Sequence, residues 1–221
     1  MRLDLHAVSV IVPGQASWPR PLVGLPGAPL LLYAQGNLER LQAPMVALVG
    51  ARSCTGEGRG MARRLSVAVA EAGGVVVSGL AAGIDAEAHL AARGRTVAVL
   101  GQGLGAPMAR WQRDLRSRVL DAGGLVLSEY ECDTAASAWT FPRRNRIIAG
   151  LARAVVVVEA ARRSGSKNTA AHALAFGRDV YAVPWSPGIP TAEGCLDLIE
   201  QGAGVVRGSD TVAGLVGGAP G

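Results

Sequence analysis

From Met45 onward, short and almost wholly apolar runs alternate with longer amphipathic ones. Val46–Val49, Val75–Val77, Thr96–Leu100, Leu125–Leu127, Ala154–Val158 and Asp179–Val183 read as strands. Between them, 56–72, 85–93, 110–122, 144–151, 169–176 and 193–201 read as helices, with apolar residues recurring every three or four positions. In 56–72 that face is Met61, Leu65, Ala68 and Val69; in 110–122 it is Trp111, Leu115, Val119 and Leu120. Gly73–Gly74, Gly94 and Gly123–Gly124 stop three of the helices. Val205–Val206 and 211–216 close the pattern. Strands apolar on both faces belong to a parallel sheet covered by helices. The expected fold is therefore α/β: a doubly wound, mainly parallel sheet with helices on both faces.

The first 44 residues break this rhythm. Six prolines there exclude long helices. Pro29–Tyr33 is a short strand candidate, with Gly36–Asn37 as the turn after it. The expected organisation is an N-terminal extension packing on the core (1–44), the core (45–216) and a flexible tail (217–221). The opening MRLDLHAVSV lacks the basic cluster and long apolar stretch of a secretory signal. No apolar run approaches the roughly 18 residues of a membrane helix, so no membrane association is expected. Cys54, Cys132 and Cys195 lack metal-binding spacing and read as free thiols.

In doubly wound sheets, ligands bind beyond the carboxyl ends of the strands, so the loops there carry the candidate chemistry. Gly50-Ala-Arg52-Ser53-Cys-Thr55 follows a strand and opens a helix. Small residues let backbone amides approach a phosphate, the helix N-terminus adds partial positive charge, and Arg52 can hold the anion bidentately. It is neither a GxGxxG fingerprint nor a Walker loop, since no GK[ST] occurs. In Ser78-Gly79-Leu-Ala-Ala-Gly83-Ile-Asp85, the glycines permit positive φ or close backbone approach. Asp85 is expected to cap the next helix, with His89 as its partner one turn on. Glu129, at a strand tip, either orients an arginine or is a solvated acid.

Charge sharpens this picture. The chain carries a formal +5 at pH 7. Residues 140–169 alone hold seven basic residues against the single acid Glu159, so the rest of the chain is close to neutral. Within this stretch, Phe141-Pro142-Arg143-Arg144-Asn145-Arg146 is expected to crowd three arginines at a helix N-terminus. Cations there oppose the macrodipole unless an anion or an acid sits among them. Phe141 offers a face on which a base can stack. Ser164-Gly165-Ser166-Lys167-Asn168-Thr169 adds hydroxyls, amides and an N-cap suited to phosphate. Arg143, Arg144 and Arg146 are expected to face this turn, with Lys167 as an addition. Arg153, at the start of its strand, belongs on the opposite sheet edge.

In order, Val49-Gly-Ala-Arg-Ser53, Ser78-Gly-Leu-Ala-x-Gly-Ile-Asp-x-x-Ala-His89, Ala98-Val-Leu-Gly-x-Gly-Leu104, Ser128-Glu-Tyr130, Phe141-Pro-x-Arg-Asn-Arg-Ile-Ile-Ala-Gly-Leu151, Val157-Val-Glu-Ala160, Ser164-Gly-Ser-x-x-Thr169 and Ala182-Val-Pro184 resemble the DNA-processing protein A (DprA/Smf) family. The resemblance covers about residues 18–206. It implies an extended Rossmann-like core in a cytoplasmic, homodimeric protein that binds single-stranded DNA and assists a RecA-type recombinase in transformation or recombination. No enzymatic activity, catalytic residue, metal or cofactor is implied. Carried onto this chain, the DNA site is Arg52, Phe141–Arg146 and Ser164–Thr169, with the Ser78–His89 motif shaping it. The helical and winged-helix domains that flank many family cores are not expected within these residues. The chain departs from the family pattern at Lys167–Asn168, Trp185 and Leu196.

Two other functions compete. One is a nucleotide-processing enzyme of the lysine-decarboxylase-like phosphoribohydrolase group. Its PGGxGTxxE loop is replaced here by Arg163-Ser-Gly-Ser-Lys-Asn-Thr169, with no glutamate at the matching place. The other is a partner-binding module with a vestigial pocket.

Overall fold

A computed structural model describes residues 8–218. Its nine strands are β1 (Val8–Ile11), β2 (Leu32–Gly36), β3 (Met45–Val49), β4 (Val75–Ser78), β5 (Thr96–Val99), β6 (Leu125–Ser128), β7 (Ala154–Val157), β8 (Asp179–Ala182) and β9 (Gly204–Val205). Its α-helices are α1 (Gly56–Glu71), α2 (Ile84–Ala91), α3 (Arg110–Asp121), α4 (Thr140–Leu151), α5 (Ser166–Ala175), α6 (Glu193–Glu200) and α7 (Ser209–Gly217). The strands form one sheet in the order β1-β2-β6-β5-β4-β3-β7-β8-β9. From β6 to β9 all neighbours are parallel; β1 and β2 run antiparallel at the edge.

The core follows from strand alternation. On β3, Met45, Ala47 and Val49 face one cluster, which also takes in the apolar sides of α4, α5 and α6. Val46 and Leu48 face the other, packed under α1, α2 and α7. All five residues are essentially inaccessible, as a parallel strand covered on both faces requires. A smaller cluster continues this second face beneath α3 through Leu115 and Val119.

From Val8 onward, the segment before the core contributes two strands to the sheet itself. β2 pairs along β6 from Tyr33↔Ser128 to Gly36↔Leu125, with Leu32 and Ala34 buried in the core. β1, unmarked in the sequence, completes the edge. Gly36 can take no side chain, because a Cβ would lie 2.4 Å from the Gly124 carbonyl. Of the expected tail, Gly217 ends α7, whereas 219–221 lie outside the described residues. Trp111, expected on the inner face of α3, is 48% exposed. Among the described residues no helix is long and apolar enough to cross a membrane.

The strand order places the site. The chain steps outward from β3 through β4, β5 and β6, then returns to β7 on the other side of β3. The loops leaving β3 and β7 therefore diverge to helices on opposite faces, α1 and α5, and open a crevice between them. This reversal point is where open α/β sheets hold ligands.

Candidate functional site

A cleft of about 410 Å³ occupies this crevice. Its walls include Gly50 and Arg52 from the β3 loop, Ala81 and Asp85 from the β4 loop, Phe141, Pro142, Arg144 and Asn145 from α4, and Ser164, Gly165, Ser166, Asn168 and Thr169 from the β7 loop and α5. The Arg52 guanidinium lies 5.7 Å from the centre of the Phe141 ring, so a cation and an aromatic face sit side by side at the opening. Arg52 is exposed and Phe141 half-buried.

The three arginines of α4 part company. The helix begins at Thr140, four residues before the expected start, so Pro142 occupies its third position, where a missing N–H costs nothing. The arginines consequently sit further into the helix and point in different directions. Arg143 is exposed, its guanidinium 5.9 Å from the Trp139 ring centre. Arg146 turns away from the cleft. Two of its nitrogens donate to the Glu129 oxygens at 2.7 and 2.6 Å, and Nε donates to the Gly27 carbonyl. Glu129 thus orients an arginine, and Arg146 does not face the Ser164–Thr169 turn.

Arg144 is 5% exposed. Its Nη1 donates to the carbonyl of Gly79, at 2.7 Å, and to that of Val99, while Nε donates to Asn145 Oδ1. It is a buried tie between α4 and the ends of β4 and β5, exposing only a sliver to the cleft. Burial lowers its pKa to about 10. Gly79 is required by this tie. A Cβ there would fall 2.5–2.7 Å from guanidinium atoms.

The β4 loop is built from behind by the acid–histidine pair, though not as expected. Asp85 does not cap α2, and His89 is not its partner. Asp85 reaches back to accept from the amides of Gly79, at 3.0 Å, and Ala81, at 3.4 Å. Burial pushes its carboxyl up, while the charge of Arg144 and these amides pull the other way. The Leu80 amide donates to His89 Nε2 at 3.3 Å, so Nδ1 carries the proton and donates to Thr96 Oγ1 at 2.7 Å, whose own hydrogen goes to the Val76 carbonyl. Burial, then the charge of Arg144, holds the His89 pKa at about 3. The brace is needed because Leu80 adopts φ 54, a left-handed conformation costing a branched side chain roughly 1–2 kcal/mol. Gly83, at φ 77, lets Ala51 and Arg52 approach. A Cβ would lie 2.3 Å from the Ala51 carbonyl.

The β3 loop corrects another expectation. Its helix N-terminus is already occupied by an anion, the carboxylate of Glu159 at the tip of β7. Both Glu159 oxygens accept from the Thr55 amide at 3.1 Å, and one also accepts from Thr55 Oγ1 at 2.8 Å. Thr55 in turn caps α1 by accepting from the Gly58 amide. The partial positive charge of α1 is thus satisfied within the fold, and Ser53 is exposed outside the cleft wall. What this loop offers a ligand is Arg52 and the backbone at Gly50. Gly50 is tightly enclosed, since a Cβ would lie 2.6 Å from Ile84.

The β7 loop stays open. α5 begins at Ser166, three residues before the expected start, and its N-cap, Gly165, provides no capping side chain. The Ser164 and Ser166 hydroxyls bond each other at 2.8 Å. Asn145 spans the cleft, donating to Asn168 Oδ1 at 3.2 Å and so joining α4 to α5. Asn168, expected only as part of the Ser164–Thr169 turn, lines the cleft itself. Lys167 lies outside the cleft wall, its Nζ 3.0 Å from Asp197, which also holds Arg162. Trp185 donates to the Val158 carbonyl at 2.7 Å and so anchors the following loop. Arg153 lies at the far edge, as expected, donating to the carbonyls of Val216 and Gly218.

The site thus draws together Gly50, Arg52, Phe141, Asn145 and the 164–169 turn, braces them with Gly79, Gly83, Asp85, His89 and Arg144, and sends Arg143 and Arg146 to another surface. Comparison with known proteins bears on the chain as a whole. Residues 9–216 fit the family described as DNA recombination-mediator protein A. Protein Smf of Synechocystis is 42% identical over 217 residues, 95% of this chain and 54% of its own, so the chain spans about half the length of that relative. DNA processing protein A of Streptococcus pneumoniae superposes with a TM-score of 0.85 at 39% identity, covering 92% of this chain and 72% of that one. DNA processing protein A of Helicobacter pylori, a structure concerned with its single-stranded DNA binding mode, superposes at 0.84 with 26% identity over 93% and 94%. The family match over nearly every described residue, the sequence identity and the superposition agree: the chain belongs to the DNA recombination-mediator protein A family.

Proposed function

We propose that this chain binds single-stranded DNA with little sequence preference through the cleft between β3 and β7, protecting the strand and assisting a RecA-type recombinase in transformation or recombination. The observation that carries the reading is the pairing of Arg52 with Phe141 at the mouth of a cleft whose far wall is the serine-lined Ser164–Ser166 turn. A guanidinium meets a phosphate, an aromatic face takes a base, and hydroxyls complete the anion contacts. In this reading affinity rests on charge and stacking rather than on base edges. The likeness to the Helicobacter pylori protein supports the same ligand. Further parts of this reading are a cytoplasmic location, a homodimeric assembly and a binding rather than catalytic role.

The test is fluorescence titration with oligo-dT across a range of salt. Log affinity should fall steeply with log salt. Replacing Arg52 with alanine should flatten that slope by about 0.7, the value of one phosphate contact on a single strand. An unchanged slope in this variant refutes the reading.

A further inference from the structure

The first turn of α4 separates the cleft from a second groove of about 450 Å³, lined by Arg143, Arg146 and Glu129 against the Gly27–Leu31 loop. Trp139 stands on this divide. Its neighbour Ala138 lines the cleft, and the guanidinium it meets, Arg143, lines the groove. The indole is 59% exposed, so its face is open to a stacking base. Trp139 is also rigidly presented. The Ser137 amide donates to Thr140 Oγ1, which donates back to the Ser137 carbonyl, both at 3.0 Å, and Tyr130 packs edge-on to the indole at 6.3 Å. Electrostatics allow one phosphate path across this divide. Glu129 is neutralised by Arg146, leaving exposed Arg143 beside the indole and exposed Glu131 further along the groove.

We infer that Trp139 and Arg143 form a second nucleotide subsite, in which a single strand leaving the cleft passes over Pro142, stacks a base on the indole and sets its phosphate against the Arg143 guanidinium. The inference rests on the single-stranded DNA reading above. The cleft holds one end of the strand, and the subsite holds the next nucleotides on the far side of α4. Glu131 repels the strand beyond that point, so the path turns out to solvent there.

The experiment titrates the full chain and its Trp139→Ala and Trp139→Phe variants with oligo-dT of increasing length. Trp139→Ala should weaken binding of a long oligomer roughly five- to a hundredfold, the range of one lost base–aromatic stack. It should leave binding of a dinucleotide, which the cleft alone accommodates, within about twofold of the parent chain. Trp139→Phe should recover most of the long-oligomer affinity, and the unfolding midpoint should not move in either variant. Equal long-oligomer affinity in the parent chain and Trp139→Ala overturns the subsite while leaving the cleft reading intact. Failure of the parent chain to bind any oligomer overturns both. An equal loss for dinucleotide and long oligomer also overturns the subsite, since Trp139 would then act through the cleft.

Discussion

Arg144 offers the sharpest test of the geometry, because the sequence motif and the structure give it opposite jobs. As one of three arginines in FPRRNR it reads as a ligand contact. In the structure its guanidinium is buried, shared between the carbonyls of Gly79 and Val99, and close enough to Asp85 to act on its carboxyl. Arg144→Met keeps most of the aliphatic stem and removes the guanidinium. Two buried carbonyls then lose their donor, at roughly 1–3 kcal/mol each. Asp85 loses the cation that favours its charged form, leaving a buried carboxylate to take up a proton or remain uncompensated. The combined expectation is a destabilisation of about 3–5 kcal/mol. For a chain of this size that is a fall in melting temperature of roughly 6–20 °C. Urea unfolding followed by circular dichroism reads it directly as a lower midpoint at unchanged slope. Arg143→Met, one residue earlier and exposed, should move the midpoint by no more than about 0.5 kcal/mol and weaken oligonucleotide binding instead. If Arg144→Met were as stable as the parent chain yet lost binding, Arg144 would be a ligand contact and the buried tie would be wrong.

Two further outcomes follow from the same framework. His89 is neutral in the folded chain with a pKa of about 3, against 6.5 in the unfolded chain. Between those values the unfolded state binds the extra proton, so stability falls as pH drops below about 6.5, by roughly 1.4 kcal/mol per unit. Asp85, whose pKa is raised, contributes in the opposite sense at the acid end. Urea midpoints from pH 7 to 4.5 should show the decline, and a flat profile would refute the neutral-histidine assignment. Asp197→Asn should release Lys167 and Arg162 from their shared carboxylate. Oligo-dT affinity should rise roughly two- to fivefold, the scale of an exposed ion pair, and an unchanged affinity would place Lys167 away from the DNA.

The alternation of apolar strands and amphipathic helices, and the loops in which the ligand chemistry collects, were legible because both depend on local sequence: burial on two faces needs continuous apolar runs, and phosphate-sized turns need small residues. The edge strand β1 was not legible, because its short, mixed run Val8–Ile11 is a strand only by virtue of the β2 edge it pairs with. Glu159 is the clearest case of what the one-dimensional pattern hides. In the sequence it is one acid among seven bases. In the fold it lies against Thr55, 104 positions away, and occupies the helix N-terminus that the β3 loop would otherwise present to a phosphate.

By itself, then, the sequence determined the class of fold, the sheet edge whose loops form the cleft and the charge gathered around Phe141–Arg146. Only the tertiary structure decided what each charge does. Three arginines within four residues of one helix point at different angles around its axis. One meets solvent beside an indole, one the buried ends of two strands, and one a glutamate, and those surroundings are supplied by segments far away in the chain. An arginine's role is set by what lies at the end of its side chain, which local sequence does not encode.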